Sequence, residues 1–261
     1  MYGYIVFSEY VETTCPYFDR NSTIEHFIVD QLSVDDLDFL LERGYRHFGR
    51  YVFRPVCGDC HSCIPLRIPL AGFTFPRSAR RLFNRASHFR IELTEPIPSK
   101  ETYALYSIHK KRFKDSPPDT YMDYLETFFT PLPGNYQLSI YDNNRLIAVS
   151  HIDITERALS AVYCYYDDSY RRESPGTLSI FKEIEIAIER RLRFVYLGYY
   201  IRENSHMSYK SRFKPNQILL EEGKWVDFMD RQGNIKNLDL VYRGFTPKEN
   251  IFNKRFDKYQ I

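Results

Sequence analysis

Hydrophobic residues follow different patterns in the first and second parts of the chain. Up to about residue 95, short alternating or continuous apolar runs predict strands joined by loops, with one helix over 34–42. A basic helix is predicted over 78–86. The strands predicted in this part cover residues 4–7, 24–29, 51–54, 66–68 and 90–93.

From about residue 96 onward, helices and strands are predicted in a regular order. Apolar residues recur at helical spacing over 99–113 and 119–129, as in two amphipathic helices. Three strands follow, and the turn residues Asp142, Asn143 and Asn144 join the first two in a hairpin. These strands are predicted over 137–141, 146–154 and 158–166.

The last predicted elements are a long helix, a buried strand, a short helix and a final strand pair. Ser174 and Pro175 suit the N-cap and the first residue of the long helix. Residues 194–201 are apolar on both faces, as in a central strand. The remaining elements are predicted over 208–213, 217–220 and 225–228.

This order of helices and strands is that of the acetyltransferase-like (GNAT-like) acyltransferase fold. In that fold the middle strands splay apart and leave a gap for an acyl donor and an amine acceptor. We therefore predict an α+β protein with mixed α/β elements. Its predicted parts are a Cys-containing N-terminal domain over 1–95, an acyltransferase domain over 96–230 and a polar tail over 231–261.

The composition limits the class of protein. The 261 residues are 43% hydrophobic and 27% charged, as is typical of a globular protein. No apolar run approaches the ~18 residues of a membrane helix, and the first residues lack the basic segment of a signal peptide. We expect a cytoplasmic protein that does not act at a membrane.

Basic residues are concentrated locally, although the net charge is only +2. Residues 76–90 hold five arginines and no acidic residue, and the segment 202–214 is also mostly basic. Such patches suit a phosphate-rich partner. The alternative is that they form the solvated face of an arginine-rich helix.

Four of the five cysteines form one constellation. Two residues separate Cys57 from Cys60 and Cys60 from Cys63, and Cys15 lies about forty residues upstream. This spacing fits four thiolates on an iron-sulfur cluster or a zinc ion, and His61 could replace one thiolate. The third alternative is a packed, thiol-rich loop without a metal.

The loop before the long helix bears on the acyl donor. Acyl-CoA enzymes of this fold carry a glycine-rich loop there, whose backbone amides hold the pyrophosphate. Here Pro175 stands where the first glycine is needed, and proline has no amide hydrogen. We therefore expect a donor other than acyl-CoA.

Seven segments carry a resemblance to a known family. They are CPY (15–17), YVFRPVCGDCHSCIPLRI (51–68), PRSARR (76–81), LSAVYCYYDDSY (159–170), SPGTLSIFKEIEIA (174–187), VYLGYYI (195–201) and MSYKSRFKP (207–215). In order and spacing they resemble the aminoacyl-tRNA-protein transferases. The branch they resemble most is the bacterial leucyl-transferases that act on N-terminal Asp and Glu.

The resemblance implies transfer of an amino acid from its tRNA ester to the α-amine of a protein that begins with Asp or Glu. The product carries a destabilising N-terminus, which enters the N-degron (N-end rule) pathway of protein degradation. The cysteine loop and the length favour leucyl-tRNA as the donor, and arginyl-tRNA is the alternative. No cofactor is expected for the chemistry, because a free α-amine has a pKa of ~7.7 to 8.0 and is partly nucleophilic at neutral pH.

The resemblance also suggests which residues serve the chemistry. Asp153 matches the acidic position of the family and would hold the amine; its alternative role is a strand-end charge paired with an arginine. The phenols of Tyr163, Tyr165 and Tyr199 lie on strands that should border the splay, where one could donate to the ester carbonyl. Their alternative role is core packing.

Basic residues are predicted to bind both substrates. The tRNA 3′ end needs cations for its phosphates and a ring for its adenosine, and the residues predicted to bind it are Tyr209, Lys210, Arg212 and Lys214. The acidic first residue of the protein substrate needs a fixed guanidinium, for which the candidates are Arg77, Arg80, Arg81 and then Arg67. The alternative is that the arginine helix follows the tRNA acceptor stem.

Three residues depart from the family pattern. Asn204, Ser205 and His206 stand where relatives carry Cys-Pro-Lys, so the choice of amino acid stays open. Two other functions also remain open. One is a metal-containing RNA-binding module without catalysis, and the other is an acyl-CoA-dependent N-acyltransferase.

Overall fold

The computed structural model describes residues 4–112, 119–221 and 223–247. Its N-terminal part forms a four-stranded antiparallel sheet. The strands are β1 (Tyr4–Thr14), β2 (Asn21–Gln31), β3 (Arg46–Phe48) and β4 (Tyr51–Pro55), and helix α1 (Val34–Glu42) lies between β2 and β3. Their order in the sheet is β1-β2-β4-β3.

Helix α1 begins and ends where the hydrophobic pattern predicts. Ser33 and Asp36 form a capping box, in which each side chain accepts a hydrogen bond from the backbone N–H of the other residue. Leu37, Leu40 and Leu41 are buried against Phe27 and the rest of the N-terminal core. The helix is therefore fixed at its start by polar contacts and along one face by apolar packing.

The remaining strands form one eight-stranded sheet. They are β5 (Ile64–Pro69), β6 (Phe89–Thr94), β7 (Asn135–Asp142), β8 (Arg145–Ile154), β9 (Ala158–Tyr166), β10 (Phe194–Tyr200), β11 (Asn216–Glu221) and β12 (Lys224–Met229). Their order is β12-β11-β5-β10-β9-β8-β7-β6. Among the described strands, only the central neighbours β9 and β10 run parallel.

Helices cover both faces of the large sheet. They are α2 (Arg77–Arg85), α3 (Lys100–Lys110), α4 (Tyr121–Phe128), α5 (Pro175–Glu189), α6 (Ser205–Ser208) and α7 (Leu238–Arg243). On β8, Ser150 contacts α5, whereas the neighbouring Val149 packs with residues of α3 and α4. Because successive strand residues face opposite sides, α5 lies on one face and α3 and α4 lie on the other.

The C-terminal residues are packed in the part that the structure describes. Val241 and Phe245 are buried in the main core. The Phe245 N–H donates to the carbonyl oxygen of His61 at 3.1 Å, so this segment lies against the cysteine loop. The segment predicted as a polar tail is thus packed against the core up to residue 247. Residues 248–261 lie outside the described part.

The predicted α+β, GNAT-like fold is confirmed, with two helices, three antiparallel strands, a long helix and a parallel strand in the expected order. The division near residue 95 does not coincide with the boundary between the sheets, since β5 and β6 belong to the large sheet. Ser174 and Pro175 are the N-cap and the first residue of α5, as predicted, although Ser174 adopts φ 55° and its side chain makes no cap hydrogen bond. No helix in the described residues is long and apolar enough to cross a membrane.

Candidate active site

The sheet opens between its two parallel strands. β9 and β10 pair over only three positions, which end at Ser160 and Tyr196. β10 then shifts its register against β5 between Tyr196 and Gly198, and Gly198 adopts φ 80°. Beyond Ser160 and Tyr196, carbonyl groups that face the gap between β9 and β10 need partners other than a neighbouring strand.

Two basic side chains supply those partners. Arg46, on β3, donates through its guanidinium to Ser160 Oγ at 3.1 Å and to the carbonyl oxygen of Ala161. Lys210 Nζ donates to the carbonyl oxygen of Tyr199 at 2.8 Å. A methyl group on Gly198 would lie 3.5 Å from both Arg46 Nε and Lys210 Nζ. The two basic groups therefore lie close to each other beside Gly198.

Burial makes both charges costly. It is the largest cause of the lowered pKa of Lys210, about 7, and the positive charge of Arg46 lowers it further, while Cys63 opposes the shift. The pKa of Arg46 is also lowered, again mainly by burial. Within the described residues, no carboxylate lies within 4.0 Å of either basic group.

A third ionisable group lies on the α5 side of the gap. Glu183 is 1% exposed, and its Oε1 accepts a hydrogen bond from Ser150 Oγ at 2.6 Å. Its Oε2 has no hydrogen-bond partner among the described residues. Burial raises the pKa of Glu183 to about 7, against smaller opposing effects from Ser150 and Arg46. Burial also raises the pKa of the nearby Cys164 to about 12, so this thiol stays protonated.

Asp153 lies in a buried pair that joins the two sheets. It is 0% exposed, and His47 Nε2 lies 2.9 Å from its Oδ2. Asn135 Nδ2 donates to the other oxygen at 3.4 Å. His47 Nδ1 lies 3.1 Å from the carbonyl oxygen of Gly49. The partner of Asp153 is thus a histidine rather than an arginine. The role of Asp153 in holding the amine stays a prediction.

Of the tyrosines predicted for catalysis, Tyr165 and Tyr199 are buried and already hydrogen-bonded, and Tyr163 is partly buried. Tyr199 Oη donates to the carbonyl oxygen of Gly44 at 2.8 Å, and burial raises the pKa of Tyr199 well above its usual value. The hydroxyls of Tyr165 and Tyr124 lie 2.9 Å apart in an aromatic cluster that includes Tyr163. Burial raises the pKa of Tyr163 to about 12. These contacts match the alternative role in packing, and the catalytic role stays a prediction.

The arginines predicted to recognise the acidic N-terminus do not meet at one site. Arg67 donates to Gln217 Oε1 at 2.9 Å and to Tyr196 Oη at 3.2 Å. Its guanidinium also lies 4.2 Å from the ring centroid of Trp225. In contrast, α2 packs on α5 through Ala79 and Leu82. Its exposed residues include Arg77, Arg80 and Arg81.

The residues predicted to bind tRNA differ in exposure. Arg212 is exposed, whereas Lys214 and Tyr209 are partly buried. Tyr209 packs against Phe213 with ring centroids 6.5 Å apart. Lys210 turns into the gap between β9 and β10, so it is the member of this set that a surface phosphate is least able to reach.

The four clustered cysteines do come together, as their spacing predicts. Cys15, Cys57, Cys60 and Cys63 are free, partly buried thiols that line one pocket with Tyr199 and Phe245. The Thr23 N–H donates to Cys57 Sγ at 3.3 Å, and Arg20 Nη2 donates to Cys60 Sγ at 2.9 Å. The contacts are those of a hydrogen-bonded thiol loop.

The structure gives no support to the predicted metal site. No group of three or more His, Cys, Asp or Glu side chains in the described residues is arranged to hold a metal ion. Burial, followed by Cys60, raises the pKa of Cys63 to about 12. The predicted zinc or iron-sulfur site is therefore unsupported.

Sequence reasoning did not single out Arg46 or Glu183. Arg46 lies outside the seven segments that carry the resemblance. Glu183 lies within the segment 174–187, but it is one charged residue of an otherwise ordinary helix. Glu183 could have been indicated by its charge within the otherwise apolar face of α5. Arg46 could have been indicated as a basic strand residue next to Tyr45.

Comparisons with known proteins agree with these features. Residues 13–81 match the family model "Arginine-tRNA-protein transferase, N terminus", and residues 101–220 match the model of its C terminus. A protein of Campylobacter jejuni named aspartate/glutamate leucyltransferase is 36% identical over 219 residues, which are 80% of this chain and 90% of that protein. A protein of the same name from Helicobacter hepaticus is 32% identical over 214 residues, which are 78% of this chain and 88% of that protein.

Solved structures give weaker similarities. FemX superposes with a TM-score of 0.44 at 9% identity, covering 71% of this chain and 65% of that one. A structure titled L-PGS from Bacillus licheniformis gives 0.42 at 13% identity, covering 72% and 59%. The two sequence models together cover most of the chain, and its relatives exceed 30% identity over most of their length. The chain therefore belongs to the arginine-tRNA-protein transferase family, whose members are aminoacyl-tRNA-protein transferases.

Proposed function

We propose that this protein transfers leucine from leucyl-tRNA to the N-terminal α-amine of proteins that begin with Asp or Glu. The observation that carries the proposal is the gap between β9 and β10, where Arg46, Lys210 and Glu183 lie around a sheet opening of the kind that acyltransferases use. The names of the relatives favour leucine and the two acidic residues.

The reaction exchanges an ester for an amide. The amine nitrogen attacks the ester carbonyl carbon, and the bond from that carbon to the ribose oxygen breaks. Of the two protons that the α-ammonium loses, one ends on the ribose hydroxyl and the other passes to a base or to water. The ester is already activated, so holding amine and ester in contact is the main task of the protein.

The start of α5 supports a tRNA ester over acyl-CoA. Pro175 contributes no amide hydrogen, and the N–H groups of Thr177 and Leu178 both donate to the carbonyl oxygen of Ser174 at 3.0 Å. A pyrophosphate group needs several free amides at a helix start. Of the first four residues of α5, only Gly176 can offer one, so the donor is bound by other contacts.

The proposed biological consequence follows from the product. A leucine added to an acidic N-terminus changes the first residue that a degradation receptor reads, so the protein would act in the N-degron pathway. Arg212, Lys214, Tyr209 and the arginines of α2 are the proposed contacts for the tRNA. With the tRNA held by these residues, the gap between β9 and β10 remains available to the ester and the amine.

The test uses pure protein, charged tRNA and short peptides. The donors are tRNAs carrying leucine, arginine or phenylalanine, and the peptides begin with Asp, Glu or Ala. Leucine found on the Asp and Glu peptides but not on the Ala peptide supports the proposal. Transfer of arginine instead of leucine would show that arginyl-tRNA is the donor. Binding of tRNA without transfer to any peptide favours the non-catalytic RNA-binding module.

A further inference from the structure

We propose that Arg46 and Lys210 form the binding site for the side-chain carboxylate of the substrate's first residue. The inference rests on the proposed function and deepens it, because it names the residues that distinguish Asp and Glu from other first residues. It moves recognition from the surface arginines to the gap between β9 and β10.

The first observation is that, among the described residues, these two cations have only uncharged hydrogen-bond partners. Arg46 donates to a serine hydroxyl and a backbone carbonyl, and Lys210 donates to a backbone carbonyl and to Met207 Sδ. Elsewhere in the molecule, the buried Arg54 lies 2.5 Å from a carboxylate oxygen of Glu25. Two neighbouring cations without such a partner are expensive, and a bound anion offsets that cost.

The second observation is the space between them. Arg46 Nε and Lys210 Nζ are both 3.5 Å from the point that a methyl group on Gly198 would occupy, so they are at most about 7 Å apart. A carboxylate whose oxygens each accept a hydrogen bond of ~2.8 Å can bridge two nitrogens at this separation. Because residue 198 is glycine, it has no side chain of its own beside the two basic groups.

The third observation is that the nearby acidic groups are held elsewhere. Asp153 and Glu183 act on Arg46 electrostatically but do not come within 4.0 Å of it. Asp153 is paired with His47, and Glu183 accepts from Ser150. Among the residues that the structure describes, neither of these two carboxylates pairs with Arg46 or Lys210, which leaves both basic groups available to the carboxylate of a substrate.

The position of the gap selects the first residue of the substrate over other anions. Amine and ester must meet where the strands separate, and only the first side chain is a few bonds from the α-amine. Both cations are partly exposed, so this side chain can reach them. The exposed arginines of α2 are the basic groups better placed for the phosphates of a tRNA.

The test compares Arg46→Gln and Lys210→Met with the wild-type protein. Peptides beginning with Asp, Glu, Asn or Gln are given with saturating charged tRNA, and kcat/KM is measured for each. We expect kcat/KM for Asp and Glu peptides to fall on the order of 10²-fold, because the carboxylate loses a desolvated charged partner. The values for Asn and Gln peptides and the KM for charged tRNA should change little.

Two controls separate this role from others. Lys210→Arg keeps a cation and should restore part of the preference for acidic peptides. Arg80→Ala removes an exposed charge from α2 and should leave the Asp to Asn ratio unchanged. If kcat/KM falls equally for all four peptides, the proposal is overturned, and Arg46 and Lys210 act at the ester instead. If Arg80→Ala abolishes the ratio of kcat/KM between Asp and Asn peptides, the proposal is overturned in favour of recognition by α2.

Direct binding keeps the inference separate from the proposed function. Calorimetry measures the dissociation constants of Asp and Asn peptides with the full-length protein and no tRNA. Tighter binding of the Asp peptide that disappears in Lys210→Met supports the site even if no transfer is found. Equal binding of both peptides by a folded wild-type protein contradicts the site even if transfer occurs.

Discussion

Two basic regions of this molecule differ in how they use charge. Helix α2 carries Arg77, Arg80 and Arg81 on its exposed side, where water and salt screen them. Arg46 and Lys210 come from elements far apart in the sequence, and each is held by a carbonyl group at the gap. A dense run of charge marks a surface, whereas a site is built from single charges that the fold gathers and partly desolvates.

The sharpest way to test this contrast is to remove the buried charge that joins the two sheets. Asp153→Ala leaves His47 without its partner in a fully buried position and should lower the free energy of unfolding by about 3 to 5 kcal/mol. Urea unfolding followed by circular dichroism measures the change. Asp153→Asn should cost less, because an uncharged His47 can accept from the new amide; full transfer by this variant would contradict the role of Asp153 in holding the amine.

Glu183 provides a pH-dependent test of buried charge. Because burial raises its pKa to about 7, the folded protein keeps this proton over a range in which the unfolded chain, with a Glu pKa of ~4.3, has lost it. Stability from this group is therefore present at low pH and falls as the pH rises through that range, by about 4 kcal/mol at most.

Glu183→Gln should abolish this part of the pH dependence. The measurement is the difference in unfolding free energy between the variant and the wild-type protein at pH 5 and at pH 8. The difference should favour the variant more strongly at pH 8, and other titrating groups cancel because both proteins share them. A difference that does not vary with pH contradicts the assignment.

Gly198→Ala tests the space between the cations with a single methyl group. The φ of 80° should cost about 1 to 2 kcal/mol of stability, and the methyl should also reduce the preference for Asp and Glu peptides. Gly223→Ala is a matched control, since Gly223 has φ 74° and nothing within 4 Å of the added atom. If both variants change peptide preference equally, the effect comes from backbone strain.

The exposed region should show the smallest effect on folding. Each single replacement of Arg77, Arg80 or Arg81 by alanine should change the free energy of unfolding by no more than about 0.5 kcal/mol. If these residues contact tRNA phosphates, each loss should reduce the slope of log binding constant against log salt by about one. Filter binding at several salt concentrations measures the slope, and an unchanged slope removes α2 from the tRNA interface.

Much of the fold was predictable because local patterns determine it. The helix predicted over 34–42 is α1, and the strands predicted over 146–154 and 158–166 are β8 and β9, since their apolar periodicity is strong. The N-terminal strands were predicted too short. β1 extends to Thr14 and gains its length from pairing with β2, which is a partner choice that no local pattern contains.

The site was predictable only in part. The family motifs led to Lys210 and to the cysteine pocket, but the gap depends on contacts between residues far apart in sequence. Arg46 reaches Ser160 across 114 positions, and this pairing follows from how the two sheets pack. Asp153 and Tyr199 were singled out by motif, yet their buried partners, His47 on β3 and Gly44 in the turn before β3, are invisible in a local pattern.

The alternation along β3 has a consequence for dividing this protein. Arg46 lies at the gap, and the next residue, His47, binds Asp153. The short strand β3 therefore contributes a residue to the proposed site and also joins the four-stranded sheet to the eight-stranded sheet. A fragment beginning after α2 would keep Gly198 and Lys210 but would lack one of the two cations. The proposed site for the substrate carboxylate therefore belongs to neither half of the chain alone but to the junction between them.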